Sequence, residues 1–166
     1  YKPGEEPDEA ESAHRLNTYW HPYHAELAQV IGDVHDKFGR VMLFDAHSIG
    51  SVLPRFFEGR LPDFNFGTAD GTSADPELTE NMFAVLNDAD GYTAVLNGRF
   101  KGGYITRHYG NPCGNVHAVQ LEMAQAAYME EPAPYRLDPD LADRVQTVLR
   151  DLLSAGLDWV SGRASG

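Results

Sequence analysis

Residues 43–51, LFDAHSIGS, begin like a buried β-strand and then change to polar side chains. Asp45, His47 and Ser48 come where this strand should reach the surface, and open α/β sheets bind ligands near such strand ends. Because strand residues two apart share a face, Asp45 and His47 present a carboxylate beside an imidazole. The pair can ligate a metal or transfer protons, or it can be only a local hydrogen bond at a turn.

Glu122 is the second residue that can do chemistry. It lies in VHAVQLEMA, residues 116–124, an apolar segment that we expect to be largely buried. A buried carboxylate must be paired, bound to a metal or protonated, because an isolated buried charge is costly. Burial also raises the pKa of a carboxyl toward the range that suits a general base. A structural ion pair with an arginine is the alternative.

A third candidate is the segment NGRFKGGYITRHYG, residues 97–110, which carries Arg99, Lys101 and Arg107 among several glycines. Arginine binds carboxylates through two parallel hydrogen bonds, and glycine lets the backbone approach a ligand closely. The segment therefore predicts an anion site in an otherwise acidic chain. The alternative is a glycine-rich hairpin with solvated basic side chains.

His21, His24 and Cys113 also belong to reactive residue types. The two histidines can share a helix face, but Pro22 between them and the aromatic neighbours favour a packing cluster over a metal site. Cys113 has no nucleophile signature around it, so we expect an ordinary loop cysteine.

Apolar spacing and turn residues predict the elements that position these side chains. A helical segment is expected over residues 8–38, in which Pro22 kinks the helix or begins a second one and Gly39 ends it. Residues 48–74, rich in Gly, Pro and Asp, predict a long functional loop. The dipeptides Asp75-Pro76 and Asp138-Pro139 each predict a helix start. The four expected strands cover residues 40–46, 92–96, 104–107 and 116–123.

This alternation of helices and strands predicts a single α/β layered domain over residues 1–166. Several of the expected strands end in polar clusters, which predicts a shared site at one edge of the sheet. No internal repeat is present.

Composition excludes several classes of partner. The net charge is −12, and only three of the thirteen basic residues are lysines, which argues against nucleic acid and anionic membranes. No apolar run approaches the roughly 20 residues that span a bilayer. The single cysteine cannot form an internal disulfide and fits a reducing, cytoplasmic location. Anionic small molecules remain suitable ligands, because they need only one or two arginines.

Several long motifs together resemble the N-formylglutamate amidohydrolase (N-formylglutamate deformylase) family. The resemblance covers essentially the whole chain, and YWHPYHAEL fits the helix that precedes the DxHS strand in that family. The motifs, in chain order, are DAHSIGSVLPRFFEGRLPDFNFGTADG, VLNGRFKGGYITRHYG and VHAVQLEMAQAAYM.

The resemblance implies a metal-dependent hydrolase, with zinc or another divalent metal, that converts N-formyl-L-glutamate to formate and glutamate in histidine degradation. It implies a three-layer α/β/α fold with a mixed sheet, related to zinc carboxypeptidases. By the family's pattern His47 is the metal ligand and Glu122 the catalytic base. Arg99 and Arg107 are expected to bind the substrate's carboxylates, with Asn97 as a polar partner.

Members of this family are longer at the N-terminus, and this chain begins at Tyr1 without methionine, so it resembles the family's C-terminal portion. The remaining metal ligands are then expected outside the chain. Asp45, His24 or His108 would be makeshift substitutes, and Ser48 is a further candidate near the site. We predict that the chain alone does not hold zinc tightly, and that an exposed sheet edge or apolar patch favours self-association.

Two alternatives stay open. One is a non-catalytic fragment or module that binds an acidic amino acid at the arginine and glycine segment without turnover. The other is a zinc deacylase for a different N-acyl amino acid, which would differ in its acyl pocket. Metal content and formate release separate the first alternative from the hydrolase.

Overall fold

The computed structural model describes residues 1–162 and divides into two compact units, the first over Tyr1–Gly39 and the second beginning at Arg40. Residues 163–166 lie outside the described part of the chain. The expectation of one domain over residues 1–166 stays a prediction.

The first unit is helical. It contains α1 (Glu9–Arg15), a π-helical segment (Leu16–Trp20) and α2 (His21–Phe38). The Asp8 side chain accepts a hydrogen bond from the Glu11 amide and begins α1, as helix caps do. Pro22 lies in the first turn of α2, and Gly39 ends this helix with a φ of 74°. The predicted helical segment and its stop at Gly39 are therefore confirmed, and the backbone stays helical from α1 through the π-helical segment into α2.

The second unit is built on a mixed four-stranded sheet. Its strands are β1 (Val41–Ile49), β2 (Phe64–Gly67), β3 (Ala94–Leu96) and β4 (Val116–Ala124). The spatial order is β1-β4-β2-β3. Strands β1 and β4 are parallel, β2 is antiparallel to β4, and β3 is parallel to β2. The two longest strands therefore lie side by side, with β1 at the edge.

Three helices accompany this sheet: α3 (Pro76–Asn87), α4 (Tyr104–Tyr109) and α5 (Pro139–Val160). The Asp75 side chain accepts a hydrogen bond from the Glu77 amide, and Asp138 caps α5 in the same way. Both predicted Asp-Pro helix starts are confirmed. They are local signals: the aspartate satisfies orphan amides and proline needs no amide partner there.

The hydrophobic core lies between one face of the sheet and the helices α3 and α5. Each large apolar side chain buried there stabilises the fold by about 1.5–3 kcal/mol. Gln120 on the opposite face accepts a hydrogen bond from the amide of Gly103, the residue before α4. Helices therefore cover both faces, and the predicted α/β architecture with a mixed sheet is confirmed. The largest apolar core residues are Phe64, Phe66, Leu78, Met82, Leu86, Val119 and Leu152.

Two predictions about the strands were wrong. Residues 104–107 form helix α4, because the tertiary structure buries Thr106, whose hydroxyl donates to the Gly103 carbonyl, and overrides the β-propensity of Tyr, Ile and Thr. The segment 48–74 contains the fully buried strand β2. Strand β2 has only four residues, which is too short a segment to show a strand pattern in the sequence. Pairing with β4 on one side and β3 on the other stabilises it.

Candidate active site

The carboxylate and imidazole predicted in LFDAHSIGS lie side by side on β1. His47 Nε2 is 2.9 Å from Asp45 Oδ1, and the two residues share the sheet face opposite to α3 and α5. The side chain of His47 is 47% exposed and that of Asp45 is 18% exposed. Asp45 therefore orients the ring and fixes one nitrogen, while the other nitrogen is left for a ligand.

Glu122 lies beside this pair. The parallel register of β1 and β4 makes His47 the direct neighbour of Glu122, and the Glu122 residue is only 7% exposed. Burial raises the pKa of Glu122, the charge of His47 opposes that rise, and the carboxylate of Asp45 adds to it. Within residues 1–162, Glu122 forms no ion pair with an arginine, so the alternative of a structural salt bridge is not what the structure contains.

Asn65 was not predicted as a site residue, yet it lies on β2 directly opposite Glu122. It is 1% exposed, and its Nδ2 donates to the carbonyls of Pro62 at 2.8 Å and Glu122 at 3.1 Å. These two carbonyls fix the amide orientation and leave Asn65 Oδ1 without a hydrogen-bond partner among residues 1–162. The sequence contained one signal that could have identified Asn65: it is a polar residue between two phenylalanines, in a segment that would otherwise be an apolar core strand.

The glycine-rich segment covers the same face of the sheet. Gly103 donates its amide to Gln120 Oε1 at 2.8 Å, and Gln120 lies one step before Glu122 on that face of β4. On α4, the exposed Arg107 donates to the Gly102 carbonyl at 2.8 Å. The predicted anion segment is thus brought to the sheet face that carries Glu122.

Arg99 lies in the loop after β3. Its Nη1 donates to the Phe56 carbonyl at 3.1 Å, and its guanidinium carbon is 5.4 Å from the centre of the Phe57 ring. A cavity of about 260 Å³ is lined by Ile49, Phe56, Arg99 and Phe100. Ile49 lies two residues after His47 and so shares its strand face.

Asn97 and Ser48 are separated from the Asp45–His47–Glu122 group. Asn97 has a φ of 50°, and both ends of its amide bind Thr68: Oδ1 accepts from the amide and Nδ2 donates to Oγ1. Ser48 lies on the opposite face of β1, where its hydroxyl is 2.8 Å from the Tyr128 hydroxyl. Asn97 thus closes a turn, and Ser48 belongs to the side of the sheet that packs on α5.

The expectation that polar strand ends meet at one edge of the sheet was wrong for β3. Strands β2 and β3 run antiparallel to β1 and β4. Asn97, which follows β3, therefore lies at the end of the sheet opposite to the end where Ile49 and Ala124 lie. The site instead lies on the face of the sheet.

The other reactive residues have ordinary surroundings. His108 stacks on Tyr104 within α4, with ring centres 4.7 Å apart. His21 and His24 belong to the first unit and pack against Trp20, as the packing interpretation predicts. Cys113 is an exposed free cysteine.

The residues of this site supply one side chain suited to bind a metal ion, the imidazole of His47. An Asp45–His47 hydrogen bond is the carboxylate–imidazole arrangement that commonly supports a metal-bound histidine. In the described part of the chain, however, no group of three His, Cys, Asp or Glu residues is placed to hold a metal. Catalytic zinc usually has three protein ligands. Because these residues offer only one, they do not by themselves form a zinc site.

No helix among residues 1–162 is both long and apolar enough to cross a membrane.

A family model and two curated proteins that match this chain all carry the name of the same enzyme. The family model for N-formylglutamate amidohydrolase matches residues 1–129. An N-formylglutamate deformylase of Pseudomonas putida is 49% identical over 163 residues, which cover 98% of this chain and 61% of that protein. An N-formylglutamate deformylase of Pseudomonas aeruginosa is 50% identical over 159 residues, or 96% of this chain and 60% of that protein. The chain thus spans about three fifths of the length of these relatives.

Solved structures show the same fold. An N-formylglutamate amidohydrolase from Ralstonia eutropha superposes with a TM-score of 0.73 and 29% identity, over 92% of this chain and 55% of that one. A gene product of Agrobacterium tumefaciens, Atu2144, superposes with a TM-score of 0.57 at 20% identity, which shows likeness of fold alone. By its motifs, its fold and the matching family model, the chain belongs to the N-formylglutamate amidohydrolase family.

Proposed function

We propose that the protein hydrolyses N-formyl-L-glutamate to formate and L-glutamate. The observation that carries this proposal is the buried Glu122 beside the Asp45–His47 pair, on a sheet face that also receives the arginine and glycine segment. Two relatives that are about half identical to this chain over the matched region are named N-formylglutamate deformylase.

In the proposed mechanism Glu122 moves the protons. Its carboxylate takes a proton from the attacking water, the hydroxyl oxygen bonds to the formyl carbon, and Glu122 then gives the proton to the departing nitrogen. The carbon–nitrogen bond breaks and leaves formate and the amine of glutamate. A pKa raised by burial suits a group that must both accept and return a proton.

Arg99 and Arg107 supply the binding energy for the two carboxylates of the substrate. Each guanidinium donates one N–H to a backbone carbonyl. Its other N–H groups can still donate to a carboxylate. Asp45 holds the ring of His47 in a single orientation.

Zinc or another divalent metal remains part of the proposal. When bound, such an ion polarises a carbonyl and lowers the pKa of water. His47 is the one ligand that the described residues offer, and the others would come from outside residues 1–166. A cytoplasmic location and a small-molecule substrate, without nucleic acid or membrane partners, stay predictions.

The test measures formate release from N-formyl-L-glutamate and bound zinc for the intact protein and for His47→Ala. We expect formate release and stoichiometric zinc where the remaining ligands are supplied, with both reduced in the variant; residues 1–166 alone, which offer one ligand, should not hold zinc tightly. Binding of N-formyl-L-glutamate without formate release would support the non-catalytic module instead. Faster hydrolysis of a different N-acyl amino acid would support the related deacylase.

A further inference from the structure

We propose that the cavity between Ile49, Phe56, Arg99 and Phe100 is the subsite for the substrate's side chain, and that it selects a terminal carboxylate at the length of glutamate. This inference rests on the proposed deformylase function and deepens it. It assigns Arg99 to the side-chain carboxylate and makes Ile49, Phe56 and Phe100 determinants of specificity.

Distance along β1 supports this assignment. Strand residues two apart are separated by about 6.6 Å, so Ile49 lies that far beyond His47 on the same face. In N-formylglutamate five bonds join the formyl carbon to the side-chain carboxylate carbon, which span about 6 Å when extended. A formyl group beside His47 and Glu122 therefore puts the side-chain carboxylate at the level of Ile49. Aspartate has one bond fewer and falls short.

The cavity lining matches the chemistry of that side chain. Phe56, Phe100 and Ile49 present apolar surface to the two methylene groups, and Arg99 presents a cation at the end. At about 260 Å³ the cavity is smaller than the 300–1,000 Å³ typical of sites for drug-sized ligands, which suits one short acidic side chain.

Among residues 1–162, Arg99 has no carboxylate partner. Lys101 pairs with Asp70 at 3.0 Å and Arg60 pairs with Asp63 at 2.7 Å, whereas Arg99 forms no ion pair within residues 1–162. Its contacts with the Phe56 carbonyl and the Phe57 ring orient the guanidinium and leave its charge unneutralised. In a chain of net charge −12, a fixed cation without an anion is suited to an anionic ligand.

The experiment compares N-formyl-L-glutamate with N-formyl-L-norvaline, in which a methyl group replaces the side-chain carboxylate. In the intact protein we expect Arg99→Met to lower kcat/KM for the glutamate substrate by roughly 10- to 150-fold, the range for a hydrogen bond to a charged group. For the norvaline substrate kcat/KM should stay the same or rise. Damage to the fold alone would lower both values together.

Arg150→Met is the matched control, because it makes the same change of charge on α5, on the other side of the sheet. It should leave the ratio of the two kcat/KM values unchanged. Phe100→Ala should enlarge the cavity and shift preference toward N-formyl-L-2-aminoadipate, which is one methylene longer. Unchanged substrate ratios in both Arg99→Met and Phe100→Ala would overturn the subsite.

Failure of the proposed function gives a different result. If the wild type hydrolyses neither substrate, the deformylase proposal fails, and calorimetric binding of N-formyl-L-glutamate then tests the subsite directly. Weaker binding to Arg99→Met than to Arg150→Met supports the subsite, and equal binding refutes it.

Discussion

Replacing Glu122 by glutamine should change activity and stability in opposite directions. The side chains have the same shape, but the amide cannot accept the proton of the attacking water. Loss of a general acid–base group costs about 10²- to 10⁴-fold in rate, which is about 3–5 kcal/mol of transition-state stabilisation. We therefore expect kcat for formate release to fall within that range in Glu122→Gln.

The free energy of unfolding should rise in the same variant. Burial raises the pKa of Glu122, so its stabilising contribution is complete only below the pKa of the unfolded chain and is lost as pH rises through the folded value. At pH 8 the wild type must therefore keep a disfavoured charge at a residue that is 7% exposed. Glutamine does not titrate, so urea unfolding at pH 8 should have a higher midpoint in Glu122→Gln.

Glu80→Gln is the control, because it makes the same chemical change at an exposed position of α3. It should leave formate release unchanged and stability within about 0.5 kcal/mol of the wild type. Two outcomes would refute the reasoning: wild-type turnover in Glu122→Gln, which removes the catalytic role, or a lower urea midpoint at pH 8, which removes the argument from burial.

Three further changes test the structure through urea unfolding. Burial lowers the pKa of His117; Asp75 partly opposes this effect and Arg40 adds to it to a smaller extent. Stability should therefore fall as pH drops below about 6.5, where the unfolded chain takes up the proton. In His117→Asn the side chain keeps an acceptor for the Asp75 amide but does not titrate. The free energy of unfolding of this variant should therefore change less between pH 7.5 and 5.5 than that of the wild type, and an equal change in both proteins would contradict this prediction. Gly67→Ala should cost about 1–3 kcal/mol, because its Cβ would lie 2.5 Å from the Gly102 amide nitrogen, and a loss below 0.5 kcal/mol contradicts that close approach. Gly32→Ala, with nothing within 4 Å in an exposed helix, should instead gain up to about 1 kcal/mol, and a loss there would mean that the surroundings of α2 are not open.

Features that depend on neighbouring residues could be predicted from the sequence. The helix starts at Asp75 and Asp138 and the stop at Gly39 depend on a side chain, a ring or a backbone angle within one turn. The strand period of two places Asp45 beside His47 without reference to the rest of the chain. Burial of Glu122 was predictable because the residues around it are apolar.

Other features depend on contacts between distant parts of the chain. Strand β2 is stable only between β4 and β3, so the four residues FNFG show no strand signal by themselves. Helix α4 forms where strand propensity was high, because Gly103 docks on Gln120 and Thr106 is buried. Strand β3 runs antiparallel to β1 and β4 because it pairs in parallel with β2, which is itself antiparallel to β4, and this direction turns Asn97 away from the site.

Sequence alone determined that Asp45, His47 and Glu122 can do chemistry and that strands carry them. Only the tertiary structure decided which of them meet: the register of β1 on β4 sets His47 beside Glu122, and the pairing of β2 brings Asn65 to the same place. The physical reason is that a strand's own period fixes which face a residue occupies. Its partner and register are chosen by burial of the opposite face against α3 and α5, and that choice involves residues from the whole chain.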